Sequence, residues 1–154
     1  SGGLGTMGFG FPAAIGAAFA TPGKPVICVS GDGSFLMNNQ ELATLADWGL
    51  PVKVLIMNNE HLGLVRQQQQ LFYGERFSAV RFDTTPDFAA MARAFGIPAW
   101  DMGSTDDPGS MLAEAITAPG PGLINAPIHY AENVYPMVPP GAANRDMIGG
   151  EVHV

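Results

Sequence analysis

Two short apolar runs that stop abruptly in small polar residues constrain this chain more than anything else in it. Val26-Ile-Cys-Val-Ser30 is followed by Gly31-Asp32-Gly33-Ser34, and Val52-Lys-Val-Leu-Ile-Met57 by Asn58-Asn59. Runs of this length, rich in β-branched residues and bounded by turn formers, read as buried strands. Helical spacings alternate with them: a small-residue helix opened by Phe11-Pro12, a helix over about 38–49, and another over roughly Leu64–Phe72. Strands alternating with helices predict an α/β fold, a parallel sheet with helices on both faces. In such a sheet, ligands sit beyond the carboxyl ends of the strands. Asp32 and Asn59, 27 positions apart, would then aim two hard oxygen donors at one point, a set that suits Mg²⁺ held together with phosphate oxygens. Gly31 and Gly33 lack Cβ atoms, so their backbone N–H groups can approach an anion closely. The expectation from the residues alone is a magnesium–diphosphate site.

The second half continues the alternation. Thr84-Thr-Pro-Asp87 opens a helix with Phe88, Met91, Ala92 and Phe95 as its buried stripe, and Gly96 stops it. A short strand is predicted near Ala99–Met102. Asp106-Asp-Pro108 starts a further helix with Met111, Leu112, Ala115 and Ile116 inward, and Leu123–His129 is the last predicted strand. Residues 1–132 read as one α/β domain, and 133–154, rich in Pro and Gly without a period, as an extended tail. Because the chain opens at Ser1 without a Met and enters a glycine-rich run at once, it reads as a piece of a longer polypeptide.

Fourteen acidic residues against seven Lys and Arg, a net charge of −7 with the basic residues scattered, argue against a nucleic-acid face or an anionic membrane partner. Cys28 is the only cysteine, so no intrachain disulfide can form, and its place in an apolar strand predicts a buried, inert thiol. No apolar run reaches the roughly 18 residues of a membrane span and no signal-peptide pattern opens the chain, so a cytoplasmic location is expected. His129 and His153 have no companions at ligand spacing, and Asp106-Asp107 reads as a helix cap rather than a catalytic acid pair.

Gly3-Leu-Gly5-Thr-Met-Gly8 matches the dinucleotide fingerprint G-x-G-x-x-G, with Asp32 after a strand further on. That reading needs a strand immediately before Gly3, which the sequence does not supply, and it leaves Gly33-Ser34 and Asn58-Asn59 unexplained. Gly31-Asp32-Gly33 followed one crossover later by Asn58-Asn59 resembles the thiamine-diphosphate motif instead. The wider sequence is similar to the large subunits of acetohydroxyacid (acetolactate) synthases. The stretch Ser1-Gly-Gly-Leu-Gly-Thr-Met-Gly-Phe-Gly-Phe-Pro-Ala-Ala-Ile-Gly-Ala17 carries the likeness, as do Gln40–Thr44, Leu50–Lys53, Leu62–Gln67, Leu71–Tyr73 and Glu132–Ala142. The resemblance runs nearly end to end and corresponds to the carboxyl-terminal, diphosphate-binding part of such a subunit.

That resemblance implies thiamine diphosphate and Mg²⁺ as cofactors. Asp32 and Asn59 would bind the metal through side-chain oxygens, and His61 through its backbone carbonyl. Gly31, Gly33, Ser34, Leu62 and Gly63 would surround the diphosphate end. Gly5 and Met7 would contact the aminopyrimidine, with the Met7 side chain between the two rings. Leu64, Val65 and Gln68 would line the substrate pocket. Family members decarboxylate pyruvate and condense the product with a second 2-oxo acid in branched-chain amino acid biosynthesis. Their activating glutamate lies on an amino-terminal domain and their FAD on a middle domain. Neither is expected in this stretch, which is therefore expected to be inactive alone. Homo-oligomers and a small regulatory subunit are implied partners. Arg66-Gln67-Gln68-Gln69 departs from the more usual Arg-Gln-Trp-Gln; the tryptophan helps to select larger acceptors, so Gln68 implies a weak preference for 2-oxobutyrate over pyruvate.

Overall fold

The computed structural model describes residues 2–149; His153 and the end of the 133–154 tail lie outside the described residues. Along the chain come α1 (Gly10–Ala20), β1 (Val26–Gly31), α2 (Asp32–Leu36), α3 (Leu42–Trp48), β2 (Val52–Asn58), α4 (Gly63–Phe72), α5 (Phe88–Ala94), β3 (Ala99–Asp101), α6 (Pro108–Thr117) and β4 (Gly122–Pro127). The strands form one sheet in the order β1-β2-β4-β3, parallel throughout. The expected α/β architecture is present.

Register and side-chain alternation sort the helices onto the two faces. Cys28, Val54, Leu123 and Ala99 form one cross-strand row. This row lies in the main core with Phe11, Ile15, Phe35, Leu42, Leu45, Phe88 and Ala92, so α1, α2, α3 and α5 cover that face. The rings of Phe11, Phe35 and Phe88 meet in sequence, with centroids 5.4 and 5.8 Å apart. Burying each of these rings is worth about 1.5–3 kcal/mol relative to exposure.

The next row, Val29, Leu55, Ile124 and Trp100, belongs to the opposite face. There Trp100 Nε1–H donates to Glu114 on α6 at 2.9 Å, and Ala115 is buried beneath it. The cover stops short of the sheet margin: on β1, Ile27 is 50% and Val29 63% exposed. Lys53, buried in the middle of this face, donates from Nζ to the Gly120 carbonyl at 2.8 Å and lies over the Trp100 ring. Burial lowers its pKa.

Helix starts follow the capping chemistry. Asp87 accepts from Ala90 N–H at 2.8 Å and Asp107 from Ser110 N–H at 3.0 Å. Three expectations need correction. Phe95 and Ile116 are exposed rather than inward, and Ala89 takes a buried place on α5. The predicted 38–49 helix is a 3-10 turn, Asn39–Glu41, followed by α3. The stretch from Asp32, read as a loop, is the five-residue α2. Its Gly and Ser residues hide it from a propensity argument, since tertiary packing of Phe35 holds the turn together.

Candidate cofactor site

β1 and β2 are register partners up to Gly31 and Met57, so the loops that follow leave the sheet side by side. Gly31 enters the first loop with extended backbone, and Asp32 is the first residue of α2, where the free N–H groups of a helix start favour negative charge. Asp32 is only 2% exposed. Its Oδ1 accepts from Gly33 N–H at 2.7 Å, and its Oδ2 accepts from Glu60 N–H, also at 2.7 Å. One carboxylate therefore ties the two strand-end loops together. Burial pushes the Asp32 carboxyl pKa up; hydrogen bonds from the backbone of Gly33, Glu60 and Asn59 and the charge of His61 pull against it without cancelling it. Among the described residues Asp32 has no ion-pair partner. A cation beside it would favour the ionised form that burial opposes.

The second loop is held by its own amides. Asn58 Oδ1 accepts from Glu60 N–H at 3.3 Å, and Asn59 Oδ1 from His61 N–H at 3.1 Å. Glu60 pays for this tight path with a left-handed backbone, φ 59°. Hydrogen bonds from Leu62 N–H to Val80 O and from Phe82 N–H to Glu60 O lay residues 60–62 against 80–82. The His61 ring donates from Nδ1–H to the Asn59 carbonyl at 2.9 Å and stacks on Tyr130 at 5.4 Å. Nδ1 of that imidazole is thereby engaged within the loop.

The glycine-rich opening is the third part. Gly8 N–H donates to Ser34 Oγ at 2.9 Å, and Asn38 Nδ2 donates to Gly8 O at 2.8 Å. Gly8 has φ 84°, and a Cβ there would stand 2.7 Å from Asn38 Nδ2, so no other residue fits. This pin carries Met7 to the first loop: a Cβ on Gly33 would lie 3.4 Å from Met7 Cε and 2.7 Å from Leu62 Cδ2. A side chain on Gly33 would therefore displace the end of Leu62 and crowd Phe82 and Met7.

These parts surround a cavity of about 290 Å³. Met7, Gly31, Asp32, Gly33 and Ser34 line it from one side, and Asn59, His61, Leu62, Gly63 and Leu64 from the other. Met57, Gln67, Ile128, Glu132 and Val134 complete the wall; the sequence argument assigned none of them a place there. Met57 could have been found from strand alternation, because it precedes Asn58 at the edge. Gln67 and Val134 could not, since their contact spans 67 positions. Gly5 is exposed, at φ 60°, and is not part of this wall; Val65 and Gln68 line a cavity of about 330 Å³ with Gln69, Tyr73 and Arg76.

Among the described residues no group of three or more His, Cys, Asp or Glu side chains could hold a metal. A cation here would rest on the Asp32 carboxylate, the Asn59 amide oxygen and backbone oxygens, with the remaining positions left to phosphate and water, an arrangement typical of Mg²⁺. The cavity falls just short of the roughly 300–1,000 Å³ range for ligand sites. The residues fit one end of a diphosphate cofactor.

Two strand-end loops joined through a single buried carboxylate stand at the carboxyl edge of the parallel sheet, where ligands bind in such folds. Residues 1–126 match the family described as thiamine pyrophosphate enzyme, C-terminal TPP binding domain, and the chain belongs to that family. It is similar along nearly its whole length to acetolactate synthase large subunits. It is 54% identical over 149 residues to the isozyme 1 large subunit of Escherichia coli (strain K12), covering 97% of this chain and 26% of the relative. It is 53% identical over 150 residues to the large subunit of Pyropia yezoensis, covering 97% and 25%. Against that of Parasynechococcus marenigrum (strain WH8102) the figures are 50% over 154 residues, 99% and 25%. The chain thus spans about a quarter of the length of these relatives.

Proposed function

We propose that this chain is the thiamine-diphosphate- and Mg²⁺-binding part of an acetolactate synthase large subunit. The observation that carries the reading is the Asp32 carboxylate, buried, without an ion-pair partner among the described residues, and bonded to Glu60 N–H in the loop that also offers Asn59. Asp32, Asn59 and the His61 backbone hold the metal, while Gly31, Gly33 and Ser34 receive the diphosphate oxygens with Leu62 and Gly63 beside them. Met7 would hold the cofactor bent, and Gly5 would contact its pyrimidine through the backbone. When bound, thiamine diphosphate supplies the carbanion chemistry for decarboxylating a 2-oxo acid and joining the remainder to a second one. This chain contributes orientation and charge. The group that activates the cofactor belongs to an amino-terminal domain, and FAD to a middle domain.

The substrates are pyruvate and a second 2-oxo acid, with Leu64, Val65 and Gln68 shaping the acceptor pocket and favouring pyruvate over 2-oxobutyrate. Product ratios from the full-length enzyme given both acceptors test this; a strong 2-oxobutyrate bias overturns it. The complete enzyme is a cytoplasmic homo-oligomer that works with a small regulatory subunit. Among the described residues no helix is long and apolar enough to cross a membrane. The isolated chain forms no acetolactate. Calorimetry with thiamine diphosphate and Mg²⁺ tests the central reading: binding that is lost with a chelator or with Asp32→Ala supports it. Binding of NAD that needs no Mg²⁺ would favour the dinucleotide alternative.

A further inference from the structure

Gln67, on α4, is 1% exposed, yet it carries a carboxamide. Both ends of that group are used. Its Nε2–H donates to the Val134 carbonyl at 2.8 Å, and its Oε1 accepts from Val134 N–H at 2.9 Å. The pair copies the two-bond exchange of neighbouring strands, with a side chain in place of one strand. One turn along, Gln70 Oε1 accepts from Asn133 Nδ2 at 3.1 Å and from Arg66 Nη1 at 3.0 Å, and the Arg66 guanidinium lies between the rings of Phe77 and Tyr130. One polar face of α4 thus grips the segment that follows β4. Gln67, Glu132 and Val134 all line the cavity that Asp32 and Asn59 line.

We propose that Gln67 is a positioning residue whose carboxamide fixes Glu132–Val134 as a wall of the cofactor cavity. The identity of the cofactor rests on the function proposed above; the latch itself does not. An apolar side chain of similar size would fill the space but leave Val134 N–H and C=O without partners. A glutamate would separate packing from hydrogen bonding. Ionised, it accepts from Val134 N–H but faces the Val134 carbonyl without a proton. Protonated, it restores both bonds, and burial brings that protonation toward mildly acidic pH.

The test follows hydrogen exchange at the Val134 amide, and thiamine diphosphate dissociation in the presence of Mg²⁺, in the wild-type chain, Gln67→Leu and Gln67→Glu. Gln67→Leu, with native circular dichroism, is expected to raise both rates about 10-fold or more. Gln67→Glu is expected to exchange fast at about pH 8 and to recover near wild-type protection, after correction for intrinsic exchange, at about pH 5. Unchanged Val134 exchange in a folded Gln67→Leu, or the same relative protection of Gln67→Glu at both pH values, overturns the proposal. If Gln67→Leu does not fold, the two pH values for Gln67→Glu decide. If the wild type binds no thiamine diphosphate, the proposed function fails while exchange at Val134 still judges the latch.

Discussion

The two loops that meet at the site are built on opposite principles. The Gly31-Asp32-Gly33 loop is short, buried and anchored from behind, because Asp32 opens a helix whose Phe35 is sealed in the core. The Asn58-Asn59-Glu60 loop does not itself open a helix; α4 begins further on, at Gly63. It holds its shape through side-chain amides that fold back on their own backbone, a left-handed Glu60, a bond to Asp32 across the gap, and backbone bonds from Ile128 N–H to Asn58 O and from Phe82 N–H to Glu60 O. The first loop is positioned by the helix behind it, the second by hydrogen bonds, one of which goes to Asp32 in the first. Their dependence is therefore expected to be unequal.

Asp32→Ala offers the largest break. It removes the proposed metal ligand and the tie between the loops, so thiamine diphosphate–Mg²⁺ affinity is expected to fall more than about 100-fold, beyond the roughly 10–100-fold typical of residues that only support a ligand. Hydrogen exchange at the Glu60 amide should rise with it, while Phe35 in the core keeps its protected surroundings. Asn59→Ala is expected to weaken binding by about 10–100-fold and to loosen His61, leaving the Gly33 amide as protected as before. Equal loosening of both loops in both variants would remove the asymmetry.

A pH comparison sharpens the same point. Because the Asp32 carboxyl is raised in the folded chain, the native state holds its proton where the unfolded chain has released it. Without cofactor, stability should fall as pH rises from the ordinary value of 3.8 through the raised one, and stay at the lower level above that. Urea unfolding across this window should show the slope in the wild type and lose it in Asp32→Asn. Thiamine diphosphate with Mg²⁺ should reduce the slope, since a bound cation favours the ionised form.

The smallest effect belongs to the second loop. Glu60→Gly relieves a left-handed backbone that costs about 1–2 kcal/mol in a residue with Cβ, offset by about 0.5–1 kcal/mol of added chain entropy. A net gain of up to about 1 kcal/mol in urea unfolding is expected, with cofactor affinity unchanged because the N–H to Asp32 remains. Loss of stability would mean that the Glu60 side chain holds the loop as well.

The sequence made the strands, their parallel direction and the approach of Asp32 and Asn59 to one cavity legible, because apolar runs and turn residues are local signals. The second face of the sheet was less so. Alternation cannot tell that Lys53 is buried under Trp100 while Ile27 and Val29 stand half open, since that depends on where α6 ends its cover. The run Gln67–Gln70 was equally opaque. Gln67 is buried and bonded to Val134, and Gln70 bonded to Asn133, far along the chain, and nothing near the glutamines announces these partners.

Cys28 gives the molecule an internal clock. The thiol is buried on β1, the strand that delivers Asp32, and it faces the main core; a Cβ on Gly10 of α1 would stand 3.9 Å from its sulfur. Burial also raises its pKa, so it stays unreactive while the sheet is covered. The rate at which a thiol reagent marks this single cysteine therefore times how often the core beneath the first loop opens.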